Sequence, residues 1–231
     1  MTRPVIRILA GFGLAAASPV LALAGAAIKA SSSGPVLFRA CRVGLYGRRF
    51  TMFKLRTMHR RPVSVARITG GRDPRVFPAG RWLRRFKVDE LPQLVNVVRG
   101  DMALVGPRPE DPAIVAEHYS PLMLETLSVL PGLTSPGSLS YFADERSLPD
   151  DAEKAERLYV SVLLPHKIAL DLVYVRHRSW RYDVELVVRT VASMAGLSTL
   201  FRRRQEWERA EAGRLLETAG EAGRSRVDVL P

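Results

Sequence analysis

The sequence predicts a mainly α-helical, membrane-associated protein with a small β-hairpin, and three features of the chain indicate this fold class. An apolar run lies near the N-terminus, two short β-prone segments follow it, and stretches with helical periodicity fill the second half. The 231 residues are 47% hydrophobic, enough for one domain with a core, and the formal net charge of +12 favours partners that carry negative charge. A single cysteine excludes an intramolecular disulfide, and the four scattered histidines match no structural zinc site.

Residues 5–28 are apolar apart from Arg7 and Ser18, and a straight helix of this length would measure roughly 36 Å, enough to cross a bilayer. A signal peptide, a spanning helix and a re-entrant helix that returns to the same side are all compatible with such a run. The pair Ser18 and Pro19 favours the re-entrant helix, because proline breaks a backbone hydrogen bond and the serine hydroxyl can take the freed carbonyl. Basic residues flank both ends, which favours a cytoplasmic location for both. We therefore predict a re-entrant membrane helix over residues 1–30, broken at Ser18 and Pro19.

The following residues, 31–200, are expected to form one catalytic domain. Residues 36–43 and 50–56 read as two strands of a β-hairpin. The polar, basic stretch 59–73 is expected to be a mobile loop beside the site. Further helices are predicted over 80–86, 91–98, 112–130, 151–175 with a break at Pro165, and 182–200, with a loop over 131–137.

The C-terminal residues 201–231 are strongly charged. They predict a solvated or surface-lying helix that frays towards its end and has no role in the chemistry. We expect this tail to be separate from the catalytic domain.

Two adjacent carboxylates, Asp89 and Glu90, are the first candidates for chemistry. Because Asp89 precedes Glu90-Leu-Pro92, it can simply be the N-cap of a helix. A helix N-terminus also favours phosphate, so a carboxylate there lies where a phosphoryl group would bind. One carboxylate can attack phosphorus while the other holds Mg²⁺ against the phosphates. The pair therefore predicts a phosphoryl-transfer site.

Such a site needs cations to offset the charge of the phosphates. Arg108 lies between two prolines, which restrict its backbone and favour a bidentate grip on phosphate. Lys54 and Arg56 share one face of a predicted strand. Three arginines on the predicted helix 80–86 can instead contact lipid phosphates: Arg81, Arg84 and Arg85. Glu110 is expected to cap a turn or face solvent.

Several motifs, in order along the chain, resemble those of the bacterial sugar transferases, also called monotopic phosphoglycosyl transferases. The resemblance runs through roughly residues 3–195 and includes 34–38, 50–58, 80–84, 89–96, 99–110 and 170–175. It implies a monotopic protein with a re-entrant N-terminal helix and a cytoplasmic catalytic domain at the bacterial inner membrane.

Members of this family transfer a sugar 1-phosphate from a UDP-sugar to polyprenyl (undecaprenyl) phosphate, release UMP and so start the assembly of a surface glycan such as an exopolysaccharide. The resemblance implies Mg²⁺ as cofactor, Asp89 as the nucleophile of a covalent phosphosugar intermediate and Glu90 as the residue beside the metal. It also implies that Arg108, Lys54 and Arg81 belong to the phosphate-binding surface.

Two other classes of function explain part of the sequence. A non-catalytic membrane scaffold for glycan-assembly enzymes needs the anchor and the charge but no acidic pair. A nucleic-acid-binding protein needs the charge, but it leaves the apolar run and the acidic pair without a purpose. Anionic lipid is therefore an expected partner and nucleic acid is not, while the sugar and the oligomeric state stay open at this point.

Overall fold

The computed structural model of the chain describes residues 3–59, 73–144 and 148–227, which are mostly helical. The helices and strands follow in the order α1 (Arg3–Ser31), β1 (Leu37–Val43), β2 (Arg49–Leu55), α2 (Pro78–Arg85), α3 (Gln93–Arg99), β3 (Ala103–Val105), α4 (Pro112–His118), α5 (Pro121–Leu124), β4 (Gly132–Thr134), α6 (Pro136–Asp144), α7 (Ala152–Leu158), α8 (Leu164–Arg176), α9 (Trp180–Met194) and α10 (Arg202–Val227).

Helix α1 continues through its proline. Pro19 cannot donate a backbone hydrogen bond to the carbonyl of Ala15, and the hydroxyl of Ser18 donates to that carbonyl at 2.8 Å instead. The predicted compensation by Ser18 is therefore confirmed, but the predicted break is wrong, because α1 is one helix from Arg3 to Ser31. Because the hydroxyl replaces the missing N–H, the helix tolerates a proline near its middle.

By length and composition, two helical segments among the described residues could cross a membrane, Pro4–Ser31 and Glu153–Arg176. The most apolar window is only 11% buried in the first segment but 56% buried in the second. The second segment is therefore a core helix, whereas α1 exposes apolar side chains such as Phe12 and Leu23. Helix α1 is the element that the fold offers for membrane association.

Both halves of α1 pack against the rest of the protein. In the first half, Ala10 belongs to a buried cluster with Val97 and Met102, and in the second half Ile28 packs with Leu55 and Phe77. The hydrophobic core thus holds α1 along its length rather than at one end.

The predicted hairpin is confirmed to within one or two residues, because β1 and β2 pair antiparallel with Lys54 opposite Phe38. The predicted loop over residues 131–137 is wrong in part, since β3 and β4 form a short parallel pair there. A Cβ on Gly132 would lie 2.1 Å from the backbone N of Gly106, so only glycine permits this approach. Strands of three residues are too short to show a period in the sequence.

The helical predictions hold best where no proline intervenes, and α2, α3 and α9 lie near their predicted positions. The single helix predicted over residues 112–130 is wrong, because Ser120 caps a new helix that begins at Pro121. The predicted break near Pro165 is a change of helix type and not an interruption, because a π-helical segment, Tyr159–Leu163, joins α7 to α8 in one continuous helix. Of the predicted loop 59–73, residues 60–72 lie outside the described residues.

The charged C-terminal segment forms helix α10, as predicted, but it is more than a solvated surface helix. Ala212 is buried against α8, and Trp207 and Leu216 pack around it. Glu208 is also buried and pairs with Arg189 of α9. The sequence analysis predicted from charge alone that this segment is separate from the catalytic domain. That prediction does not account for the face of α10 that packs against α8 and α9.

Candidate active site

A cavity of about 840 Å³ lies between the hairpin, the segment from α2 to α3, and helices α8 and α9. Its size is that of a site for a small molecule. Among the residues that line it are the two predicted carboxylates and four predicted or newly found cations: Asp89, Glu90, Lys54, Arg84, Lys87 and Arg108.

A tight turn after α2 presents the carboxylate pair to this cavity. Lys87 adopts a left-handed conformation with φ 55°, which costs a residue other than glycine roughly 1–2 kcal/mol. The 3₁₀ turn Val88–Glu90 follows, and α3 begins only at Gln93. Asp89 is therefore not the N-cap of α3, and that alternative for the pair is wrong.

Glu90 is held by three cations. Its Oε1 accepts from Arg108 Nη2 at 2.6 Å and from Lys54 Nζ at 3.2 Å, while Oε2 accepts from Arg108 Nη1 at 3.1 Å. Lys87 Nζ lies 3.7 Å from Oε1. Burial alone would raise the pKa of Glu90, but the charges of Arg108, Lys54 and Lys87 outweigh it and hold the pKa well below its ordinary value. Glu90 is therefore the ionised partner of the pair at neutral pH.

Asp89 has the opposite environment. Its side chain is only 6% exposed, and its Oδ1 has no hydrogen-bond partner among the described residues. Burial and the adjacent charge of Glu90 raise the pKa of Asp89, and Lys54 opposes them. A buried carboxylate oxygen without a partner is costly, which is typical of a group that reacts with or binds a ligand.

The carboxylate pair also fits Mg²⁺. No group of three histidine, cysteine, aspartate or glutamate residues in the described part of the chain could hold a metal ion alone. Mg²⁺ is usually bound through one or two carboxylates together with substrate phosphates and water, so a larger protein cage is not needed. Of the two carboxylates, Glu90 would hold Mg²⁺ together with the substrate phosphates, next to the unpartnered Oδ1 of Asp89.

Two of the predicted phosphate-binding cations, Lys54 and Arg108, converge on this pair, while a third, Arg56, has another role. Its guanidinium donates to the carbonyls of Pro35 and Ser32 at 2.6 and 2.9 Å and lies over the ring of Phe77. These contacts fasten β2 to the end of α1. Arg56 also lines the cavity, so these contacts give it a structural role beside the predicted one.

Arg81, another predicted phosphate-binding cation, lies on α2 one turn before Arg84. Arg81 is exposed, donates to the carbonyl of Val76 at 3.2 Å and does not line the cavity. Arg84 does line it, held by the hydroxyl of Thr57 at 3.0 Å, and its charge acts on Asp89. The arginine of α2 that lines the cavity is therefore Arg84, which the sequence analysis assigned to lipid phosphates, and not Arg81.

A second buried charged cluster on the cavity wall was not predicted. The carboxylate of Glu110 accepts from Lys167 Nζ at 2.7 Å and from the hydroxyl of Tyr159, and Lys167 donates to Tyr159 at 2.9 Å. Glu110 therefore neither faces solvent nor caps a turn. The only sequence signal was a lysine in an otherwise apolar helix, which indicates a buried partner but does not identify it.

Asp171 lies beneath the loop that carries Arg108. It is fully buried, its Oδ1 accepts from the backbone N–H of Gly137 at 2.9 Å, and its Oδ2 has no hydrogen-bond partner among the described residues. Burial raises the pKa of Asp171 to about 6, although nearby donors and the charge of Lys167 oppose the shift. The carboxyl group of Asp171 thus connects α8 with the start of α6.

The remaining wall of the cavity is mainly apolar. It is formed by Met52, Leu104, Leu133, Leu139 and a face of α9 with Val187, Thr190, Val191 and Met194. The site therefore combines a charged end around Glu90 with an apolar side, which is the combination expected for a substrate with a phosphate and a hydrocarbon part.

Comparison with known proteins identifies the family of this chain. Residues 2–196 match the sequence model of the bacterial sugar transferases, and this range includes every cavity residue named above. The chain belongs to the bacterial sugar transferase family.

Three relatives show the range within the family. The UDP-glucose:undecaprenyl-phosphate glucose-1-phosphate transferase of Caulobacter vibrioides is 43% identical over 182 residues, which cover 77% of this chain and 63% of that protein. The enzyme of the same name from Escherichia coli K12 is 36% identical over 80% of this chain and 38% of its own length. The UDP-N-acetylgalactosamine-undecaprenyl-phosphate N-acetylgalactosaminephosphotransferase of Aeromonas hydrophila is 32% identical over 77% and 39%. The chain thus spans less than two thirds of the length of these relatives.

We expect Asp171 to make the stability of the protein fall between about pH 4 and pH 6. Its pKa is about 6 in the folded state against an ordinary value of 3.8, so in this window the folded protein retains a proton that the unfolded chain has lost. The loss is on the order of 3 kcal/mol and is complete above pH 6. Urea unfolding in detergent micelles at several pH values should show a flatter profile for Asp171→Asn.

The exposed N-cap Asp151 is the matched control, because its hydrogen bond to the backbone of Lys154 lowers its pKa. Asp151→Asn should therefore leave the decline between pH 4 and pH 6 in place. An unchanged decline in Asp171→Asn would contradict the assignment.

Proposed function

We propose that this protein transfers a sugar 1-phosphate from a UDP-sugar to polyprenyl phosphate, through a covalent phosphosugar intermediate on Asp89. The observation that carries the proposal is the buried, unpartnered Oδ1 of Asp89 beside a glutamate held by three cations. The family and the substrates named for its relatives, a UDP-sugar and undecaprenyl phosphate, support it.

In the first step, Oδ1 of Asp89 attacks the phosphorus that carries the sugar. A bond forms between this oxygen and phosphorus, the bond from phosphorus to the bridging oxygen breaks, and UMP leaves with that oxygen. The raised pKa of Asp89 makes its carboxylate a stronger nucleophile than an exposed aspartate. In the second step an oxygen of polyprenyl phosphate attacks the same phosphorus and releases the Asp89 carboxylate, which gives a polyprenyl diphosphate sugar.

Lys54, Lys87, Arg84 and Arg108 stabilise the negative charge of the phosphates during both displacements. Glu90 holds three of these cations in position before the substrate enters. When Mg²⁺ is bound by Glu90 together with the substrate phosphates, it supplies further neutralisation of charge on the pyrophosphate.

For the membrane arrangement, we propose that α1 is re-entrant, with both of its ends and the catalytic domain on the cytoplasmic side of the inner membrane. Two buried clusters support this, since Ala10 near one end and Ile28 near the other both pack against the domain. A helix that spans the bilayer separates its ends by about 30 Å of hydrocarbon and would leave one of them without these contacts. The proposed location lets the phosphate of a membrane lipid reach Asp89.

Replacement of the nucleophile is the direct test. In Asp89→Asn the amide retains the size of the side chain but cannot form the acyl phosphate, so UMP release from a UDP-sugar with Mg²⁺ and polyprenyl phosphate should fall by at least about 10³-fold. Radiolabel from the sugar should remain on the wild-type protein when the acceptor is left out, and it should not remain on Asp89→Asn. The exposed Asp150→Asn serves as control and should keep both signals. Equal turnover in Asp89→Asn would show that another group is the nucleophile.

The two arginines on α2 test the geometry of the phosphate site. Arg84→Gln removes a cation from the cavity and should lower kcat/KM for the UDP-sugar by about 10²-fold. Arg81→Gln changes the same charge one turn earlier, outside the cavity, and should have little effect. A larger loss in Arg81→Gln than in Arg84→Gln would reverse the assignment that the structure supports.

Cysteine labelling tests the arrangement in the membrane. In a Cys41→Ser background, Pro4→Cys and Lys29→Cys place one thiol near each end of α1, and Arg203→Cys places one on α10. Because all three are proposed to be cytoplasmic, an impermeant maleimide should label none of them in intact cells and all of them after lysis. Labelling of one end alone in intact cells would indicate a spanning helix.

A further inference from the structure

Helix α10 lies beyond the part of the chain that matches the family, residues 2–196, yet it is joined to the wall of the cavity by a buried ion pair. Glu208 of α10 is 2% exposed, and its two carboxylate oxygens accept from Arg189 of α9 at 2.6 and 2.8 Å. Glu208 also accepts from the hydroxyl of Tyr182 at 2.5 Å. A bidentate pair of this kind restricts both the distance and the orientation of the two helices.

Arg189 lies on the back of the helix whose front lines the cavity. Val187, Val191 and Met194 are spaced at i, i+4 and i+7 and therefore lie on one face of α9, which faces the cavity. Arg189 is two residues from Val187 and Val191, so it points to the opposite side, towards α10. The Glu208 carboxylate therefore holds α9 from behind, and a shift of this contact would move the cavity wall on the opposite face of the helix.

The other attachments of α9 are concentrated in its first half. Tyr182 and Leu186 are buried in a cluster with Val105 and Tyr174. Near its C-terminal end α9 is held by a contact of 2.6 Å between the hydroxyls of Thr190 and Thr134 and by the ion pair with Glu208. The second half, which forms the cavity wall, is therefore attached to β4 through Thr190 and to α10 through Arg189.

The chemistry of this wall suits the hydrocarbon chain of the acceptor. Val187, Val191 and Met194 line the cavity and are also 39, 64 and 48% exposed, so the apolar surface continues from the cavity to its mouth. A UDP-sugar is polar throughout and gains nothing from such a surface. An isoprenoid chain gains free energy for each methylene group that it buries there.

We propose that Glu208 is a positioning residue for the acceptor, because it holds α9, the wall that receives the isoprenoid chain of polyprenyl phosphate. This inference rests on the proposed function. It assigns to α10, outside the family match, control over the second displacement and none over the first, in which the acceptor takes no part.

The test separates the two displacements in the full-length protein, with UDP-glucose as donor and undecaprenyl phosphate as acceptor. Glu208→Gln removes the charge that holds Arg189 but retains the shape of the side chain. It should raise the KM for the acceptor by about tenfold, since small displacements of a positioning element cost this much or more. The burst of UMP released without acceptor reports the first displacement and should keep its rate and amplitude.

Arg189→Lys is the second variant, because it retains the positive charge and loses the bidentate geometry. It should raise the KM for the acceptor in the same direction, and the effects of the two substitutions together should be less than additive. Glu211→Gln on the same helix is the control, since Glu211 pairs with the exposed Arg214, and it should behave as wild type.

An unchanged KM for the acceptor in folded Glu208→Gln and Arg189→Lys would overturn the inference. An equal loss in the acceptor-free burst would also overturn it, because it would show a general structural role. If the wild-type protein releases no UMP with any UDP-sugar, the proposed function fails as well, so the two failures are distinguishable.

Discussion

The contact of Glu90 with Arg108, Lys54 and Lys87 is the interaction on which the candidate site depends. Each of these groups comes from a different place in the fold: β2, the turn after α2, and the loop after β3. Removing one partner from a buried charged cluster leaves the others without compensation, so the cluster forms as a unit or not at all. Its formation brings the hairpin, the turn and the proline-flanked loop together and leaves the neighbouring Asp89 with a raised pKa and an oxygen that has no partner.

This arrangement gives two adjacent carboxylates opposite properties. The cations that contact Glu90 lower its pKa, whereas burial and the charge of Glu90 raise the pKa of Asp89. Environments that push two neighbouring pKa values apart are a common way to divide roles between identical groups. Here the division provides one group that organises positive charge for phosphates and one that is available to react with them.

Around the carboxylate pair, further buried polar contacts keep the cavity walls in place. Asp171 connects α8 with α6, Glu110 connects the Arg108 loop with Lys167 of α8, and Glu208 connects α10 with α9. Buried charges contribute little net stability, but they specify the geometry of the groups they join. Helix α1 adds the apolar surface through which the whole site can lie at a membrane.

The sequence by itself determined the features that local patterns encode. The apolar length of α1, the compensation of Pro19 by Ser18, the hairpin and the adjacency of Asp89 and Glu90 all follow from neighbouring residues, and the motifs between them were sufficient to indicate the family. Only the tertiary structure decided which distant side chains meet. Arg84 rather than Arg81 lines the cavity, and Arg56 bonds to the end of α1. Glu110 pairs with Lys167, and Glu208 of α10 pairs with Arg189 of α9. These contacts join residues far apart in the chain, and packing rather than sequence spacing decides which face of an element is turned towards another.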